Sequence, residues 1–251
     1  MPKTAPHFDL ASVRARLPGR RIDWFQRLGS TMLEAASVPE PGRIVVAEEQ
    51  TAGIGRHGRS WHSEPSTGLY VSIVLAARAV PVVMLALGLA TRDAITQTTS
   101  LQPDLRWPND VLIHNRKCAG ILANVGQAIL SPASADAIIA GIGINVSQIT
   151  FPEDFDTPPT SLLLEGARVT REDLLVALAI SVDRHCALAP PEILRRFAQA
   201  SSFTSGRRVR VETAGTFVEG VTCGLDPAGF LRLREDSGRE TTILAGGIRP
   251  V

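Results

Sequence analysis

The sequence is poor in the residues from which most hydrolytic, redox and metal centres are built. Among 251 residues there are three cysteines, Cys118, Cys186 and Cys223, scattered and never in a CxxC pair. Neither a disulfide framework nor a zinc site is indicated, and a reducing cytosol fits. The five histidines form no i, i+4 pair of the kind that binds zinc from a helix. A Gly-x-Ser-x-Gly elbow and the phosphate-binding P-loop pattern are both missing, which argues against a serine hydrolase and a P-loop NTPase. Charge of one sign is lacking too: 26 basic against 25 acidic residues leave a net charge of +1, with no global footprint for nucleic acid or an acidic membrane. No long apolar run occurs. The N-terminus has no signal-peptide core, and Val80 to Ala90 is too short to span a bilayer before Arg92-Asp93. A soluble, cytoplasmic protein with no DNA or membrane partner is expected.

What is present is a glycine–arginine stretch, TAGIGRHGRSW (Thr51 to Trp61), in which Gly53, Gly55 and Gly58 alternate with Arg56 and Arg59. Glycines let backbone approach a ligand closely, and exposed N–H groups beside a guanidinium suit a phosphate or carboxylate. Ahead of it, Leu10 to Leu17 reads as a short helix and Ile22 to Leu28 as a weak strand. Ser30 and Thr31 are candidate N-caps for a helix beginning at Met32. Arg43 to Ala47 and Leu69 to Leu75 have strand character, and Pro81 to about Leu101 reads as a buried helix because it is apolar nearly all round. Leu105 to Asn124 reads as a β-hairpin with a polar corner at RWPND, and AIIAGIGINV (Ala137 to Val146) as a strand interrupted by glycine. A proline-rich loop, Phe151 to Pro159, comes before two further helices, the first capped at Thr170.

From about residue 204 the character changes to short alternating segments separated by tight turns, the pattern of a small all-β barrel. The expected organisation is therefore an α+β domain over 1–203, a mixed sheet backed by helices, and a small module over 204–251.

Polar clusters fall at strand ends and turns of the first domain: Ser30-Thr31, the glycine–arginine loop, Arg106 to Asp110 with Lys117, and Gly141 to Asn145. They offer hydroxyls, amides, cations, glycine backbone and one carboxylate. Such a set suits phosphoryl or nucleotidyl transfer, where catalysis is mainly positioning and neutralising negative charge.

TAGIGRHGRSW, RWPNDVLIHNRKCAGIL and GIGINV, in this order and followed by a β-module, resemble the biotin protein ligases from about Leu28 onward. The resemblance implies a class II synthetase-like catalytic domain of the biotin/lipoate ligase type and an SH3-like C-terminal barrel. It implies a two-step reaction with Mg²⁺ and ATP: biotin is activated as biotinyl-5′-AMP, then passed to a lysine of a biotin carboxyl carrier protein domain. By the same resemblance Arg56, Arg59 and Lys117 surround the carboxylate and phosphates, with Lys117 stabilising the α-phosphate. Ser30, Thr31 and Gln50 hydrogen-bond the ureido ring, Gly53, Gly55 and Gly120 lie against the substrate, and Trp61 walls the pocket. Asn109 and Asp110 sit near Mg²⁺ and the phosphates, Asp110 as a candidate to help deprotonate the incoming lysine. Asn145 contacts the adenine, and the Phe151–Pro159 loop is a candidate cover for it.

The chain departs from the family pattern at two positions. Ile54 stands where the loop usually has arginine, and Met32 where Ser-Thr is usually followed by asparagine. Three rival readings remain at this stage. A DNA-binding regulator needs more than the roughly 28 residues ahead of Ser30. A lipoate or octanoyl transferase is disfavoured by RWPND and the β-module. A catalytically dead biotin binder is disfavoured by Lys117 and Arg56. Carrier identity and homodimer formation are left open.

Overall fold

The apolar runs of the first 150 residues become neighbouring strands. The structure is a computed structural model that describes residues 8–76, 80–125, 137–153, 155–213 and 216–251. Seven strands form the larger sheet: β1 (Ile22–Phe25), β2 (Ile44–Ala47), β3 (Gly68–Ala76), β4 (Asp104–Arg106), β5 (Asp110–Ile113), β6 (Arg116–Val125) and β7 (Ala137–Asn145). Their spatial order is β1-β2-β3-β7-β6-β5-β4. Only β1 and β2 pair in parallel; the other neighbours are antiparallel, so the sheet is mixed as expected. The segment read as one hairpin is a three-stranded meander, because Asp104–Arg106 extends ahead of the RWPND turn and pairs with β5. The Trp107–Pro108 peptide inside that turn is cis.

The helices are α1 (Leu10–Arg16), α2 (Thr31–Ser37), α3 (Val80–Thr98), α4 (Arg171–Cys186) and α5 (Pro190–Ala200). Local chemistry sets their starts. The Ser30 hydroxyl accepts from the Met32 N–H at α2, and the Thr170 hydroxyl accepts from the Asp173 N–H at α4. α5 opens on proline, whose missing N–H costs nothing in a first turn.

Alternation along β3 gives the sheet two different faces. Val71 and Ile73 join the main core with Leu85, Leu89, Leu174 and Leu178 of α3 and α4. Val74 packs instead with Met32, Ala35 and Ala36 of α2 and with Val45. The long apolar helix is therefore a core element, and the short α2 packs on part of the opposite face.

The C-terminal strands are β8 (Ser205–Thr213), β9 (Thr216–Leu225), β10 (Leu231–Arg234), β11 (Glu240–Ile243) and β12 (Ile248–Pro250), in the order β11-β10-β9-β8-β12, all antiparallel. The expected barrel is thus a five-stranded antiparallel sheet with no pairing of β11 to β12 among the described residues. Its inward residues Val209, Val211, Leu231, Leu233 and Ile248 are continuous with the main core. The Trp107 indole N–H donates to the Gly229 carbonyl at 3.0 Å, tying the RWPND turn to this sheet. No helix among the described residues is long and apolar enough to cross a membrane.

Candidate active site

Register places the site before any side chain is considered. Gly143 on β7 sits beside Gly120 on β6, Gly120 beside Asp110 on β5, and Asp110 beside Arg106 on β4. This one row across the sheet joins two motifs that are distant in sequence and ends in a charged pair. The two glycines leave a patch of bare backbone on which the Trp61 ring lies. A Cβ at Gly143 would come 2.4 Å from the indole, and one at Gly120 2.7 Å. In the next row Gly141 lies beside Ser72 of β3, under the Met32 thioether.

Gly143→Ala is expected to displace Trp61 and to destabilise the fold by about 1–3 kcal/mol, the usual penalty for overpacking. A urea midpoint and tryptophan emission both unchanged from the parent protein would contradict this.

The glycine–arginine stretch folds back on itself as a small hairpin. Trp61 N–H donates to the Gly53 carbonyl at 2.8 Å, Gly55 N–H to the Arg59 carbonyl at 2.7 Å, and Ile54 bridges Ser60. Its tip, Arg56–Gly58, is a single helical turn in which His57 and Gly58 take positive φ. At Gly53 any Cβ would lie 2.5 Å from the Trp61 carbonyl oxygen, so the hairpin needs glycine there.

Cations gather at one end of the cleft under this hairpin. Lys117 Nζ lies 2.6 Å from Asp110 Oδ1 and 5.6 Å from the Trp61 ring centre. Arg106 Nη2 lies 2.6 Å from Asp110 Oδ2 and donates to Thr157 Oγ1 at 2.5 Å. Burial alone would raise the Asp110 carboxyl, but Lys117 and Arg106 outweigh it and hold the group below the usual carboxylate range. A carboxylate held this way is a weak proton acceptor, which favours anchoring Lys117 over acting as a base. Arg56 Nη1 donates to Asn109 Oδ1 at 2.9 Å and to the Gly246 carbonyl at 3.2 Å, and burial lowers its pKa against an opposing pull from Asp110.

With both Asp110 oxygens paired to cations and the Asn109 carbonyl oxygen paired to Arg56, these two residues do not form a ready Mg²⁺ site in this arrangement. No group of three or more His, Cys, Asp or Glu suited to a metal exists among the described residues.

The opposite end of the cleft is polar and uncharged. Gln50 Oε1 accepts from Thr31 N at 2.8 Å and from Thr31 Oγ1 at 3.0 Å, while Gln50 Nε2 donates to Ser63 Oγ at 2.9 Å. Between the two ends lies a cleft open to solvent.

Of the residues singled out from the sequence, Ser30, Thr31, Gln50, Gly55, Arg56, Trp61, Asn109, Lys117 and Gly120 all line this cleft. Four do not. Gly53 shapes the hairpin from behind, and Asp110 stands one residue back, holding Lys117. Arg59 points outward to Asp156 at 2.5 Å. The Asn145 amide donates to the Thr160 carbonyl at 2.9 Å, tethering the segment that runs beside Lys117. The proline-rich loop, the candidate cover for the adenine, leads into that segment and runs beside the Lys117 strand. Lys117 N–H donates to the Pro158 carbonyl and Thr160 N–H to the Lys117 carbonyl, while Asp156 also takes Arg249 at 2.8 Å. Ser72 and Ser63 were missed as well; a serine inside LYVSIVL gives no signal until α2 is seen above it.

Comparison with known proteins agrees with this geometry. Residues 19–145 match the biotin/lipoate A/B protein ligase family, and residues 204–248 match the biotin protein ligase C terminal domain. The chain is 34% identical over 265 residues to a biotin–[acetyl-CoA-carboxylase] ligase of Mycobacterium tuberculosis, covering 96% of this chain and 95% of that protein. It is 28% identical to the bifunctional ligase/repressor BirA of Bacillus subtilis, covering 90% of this chain and 73% of that one. Among solved structures, the biotin protein ligase from Aquifex aeolicus in complex with biotin and ATP superposes with a TM-score of 0.80 at 26% identity, covering 92% of this chain and 99% of that one. A cleft with hydroxyls and an amide at one end and paired cations at the other, on this sheet and with these relatives, makes the chain a member of the biotin/lipoate A/B protein ligase family.

Proposed function

We propose that the chain is a biotin–[biotin carboxyl-carrier protein] ligase, which joins biotin to a carrier lysine through biotinyl-5′-AMP. The carrying observation is the polarity of the cleft. Ser30, Thr31 and Gln50 offer a neutral donor–acceptor set suited to a urea, and Lys117 and Arg56 lie where its carboxylate and a triphosphate would meet. Two anions repel, and fixed cations in a partly dry site lower the cost of bringing them together.

In the first step a carboxylate oxygen of biotin bonds to the α-phosphorus of ATP and pyrophosphate leaves. Lys117, aimed by Asp110, neutralises charge building on the phosphoryl oxygens, and Arg56 holds the acyl phosphate. In the second step the carrier's lysine amine attacks the acyl carbon, AMP leaves, and the amine loses its proton. Mg²⁺ would enter with the triphosphate, since Asn109 and Asp110 are already paired to cations. The division near residue 204 into a catalytic and a C-terminal domain is supported by the change at Ser205 from helix α5 to the first strand of a second, separate sheet. A reaction that consumes ATP and a carrier domain belongs in the cytoplasm.

Incubation with biotin, ATP, Mg²⁺ and a carrier domain should add one biotin to one lysine, read by intact mass. No mass increase with a carrier known to be competent would overturn the reading.

Ile54 lines the cleft and is 37% exposed, so it supplies no charge to the hairpin that closes over the adenylate. A hydrogen bond to a charged group contributes about 1.5–3 kcal/mol, so Ile54→Arg is expected to slow release of biotinyl-5′-AMP by roughly one to two orders of magnitude. The check is release from preloaded enzyme by rapid filtration; equal rates for the two proteins would refute it.

A further inference from the structure

The polar end of the cleft has a hydrogen-bond direction that one backbone group determines. Thr31 N lies 2.8 Å from the Gln50 side-chain amide, and a backbone N–H can only donate, so Gln50 must turn its oxygen toward Thr31. That oxygen also lies 3.0 Å from Thr31 Oγ1 and cannot donate, so the Thr31 hydroxyl gives its one proton to Gln50. Ser72 Oγ lies 2.8 Å from the same Thr31 Oγ1. With Thr31's proton already used, Ser72 is the donor. On the far side Gln50 Nε2 donates to Ser63 Oγ, and the Ser63 hydroxyl donates to the Trp61 carbonyl at 3.3 Å. The chain therefore runs in one direction, Ser72 to Thr31 to Gln50 to Ser63 to Trp61.

Ser72 is fully buried in β3, between Val71 and Ile73, and Thr31 is 3% exposed. A buried hydroxyl in an apolar strand is costly unless it is paired, and the pairing Ser72 makes is this one. The consequence falls on the ligand. Thr31 Oγ1 accepts from Ser72 and donates to Gln50, which leaves one lone pair and no proton. Gln50 keeps one amide hydrogen, and Ser30 keeps its hydroxyl hydrogen while accepting from Met32 N. The cleft thus presents one acceptor beside two donors.

We infer that Ser72 is a positioning residue for ligand recognition: it holds Thr31 Oγ1 with its remaining lone pair toward the cleft, so that the ligand must supply an N–H there. The inference rests on the biotin reading and deepens it, since a ring N–H next to a carbonyl matches one acceptor beside two donors. It adds a residue that touches no ligand and lies outside every polar cluster of the sequence.

The test is steady-state adenylation with biotin and ATP varied separately, in the whole chain. Ser72→Ala is expected to raise the KM for biotin about 3- to 10-fold, the range for loss of one buried hydrogen bond, with kcat and the KM for ATP within twofold. A merely structural role would move both substrates together. The loss should also be non-additive: on a cyclic-carbamate analogue, in which oxygen replaces the ring N–H facing Thr31, Ser72→Ala should cost less than it does on biotin. If Ser72→Ala does not fold, Ser72→Cys keeps the volume with a weaker donor and is expected to raise the biotin KM about 2- to 5-fold, with the ATP KM unmoved. An unmoved biotin KM, or equal shifts for both substrates, overturns the inference. Failure of the biotin reading looks different, because the parent protein itself would then show no biotin-dependent pyrophosphate exchange.

Discussion

Lys117→Ala is expected to lower biotin-dependent ATP–pyrophosphate exchange by about 10²–10³-fold, the range seen when one preorganised donor to developing charge is removed. Lys117 is a cation of the cleft held on several sides. Its ammonium is pinned 2.6 Å from Asp110 Oδ1 and lies 5.6 Å from the Trp61 ring centre. Its backbone is held on one side by β5 and on the other by Pro158 and Thr160. A Cβ at Gly120 would already be 3.3 Å from Nζ, so the channel the side chain follows is narrow. Lys117→Arg should not rescue, because a planar guanidinium has neither the shape nor the point charge for that channel. Biotin affinity should change much less than the exchange rate, since Ser30, Thr31 and Gln50 are untouched. Exchange within tenfold of the parent protein would remove Lys117 from the mechanism.

The largest stability effect is expected away from the cleft. Glu48 follows β2 and leads into Gln50 and the hairpin; its Oε2 accepts from Arg171 Nη1 at 2.7 Å and from Ser66 Oγ at 3.0 Å. Both members of the ion pair are buried, and Arg171, the first residue of α4, also lies over the Phe8 ring. Removing one member of a buried ion pair is strongly destabilising, so Glu48→Ala should destabilise the fold by about 3–5 kcal/mol. Replacing both residues with apolar ones of similar volume should cost far less, because the pair's own desolvation then disappears as well. Urea unfolding of the single and double variants separates the two cases. A single variant within 1 kcal/mol of the parent protein would show that Arg171 does not depend on Glu48.

How much of this was legible depends on whether a position demands a particular residue type. Gly143 is legible as a glycine that interrupts an apolar strand and Gly120 through the KCAGIL motif, and the structure supplies the reason, a Trp61 ring lying on both. Arg56 stands out in the glycine–arginine loop, and Asp110 and Lys117 in the polar RWPND corner and its returning strand. The long apolar α3 was readable because nothing on its surface faces water for most of its length. What could not be read depends on contacts between distant segments. Asp156 and Thr157 sit in a loop with no periodicity, and their role appears only when Arg59, Arg249 and Arg106 converge on them. Asn145 ended a glycine-rich strand and invited a ligand role, whereas its amide serves the neighbouring chain segment. The C-terminal strands were countable from their turns, but the pairing of the first with the last, β8 with β12, depends on three-dimensional closeness that alternation cannot express.

That pairing bears on anyone wishing to miniaturise the protein into a labelling reagent. Cutting the chain before β8 would look economical, since the cleft is lined entirely by residues up to Gly143. Yet β12 carries Arg249 to Asp156, the turn before it supplies the Gly246 carbonyl to Arg56, and the turn after β9 supplies the Gly229 carbonyl to Trp107. Three separate supports of the hairpin, the adjoining loop and the RWPND corner would go at once, together with the apolar seam that seals the core. A shortened reagent would need new partners designed for each of them, and swapping in the terminal sheet of a relative would succeed only if it offered carbonyl acceptors at two of these points and a cationic donor at the third.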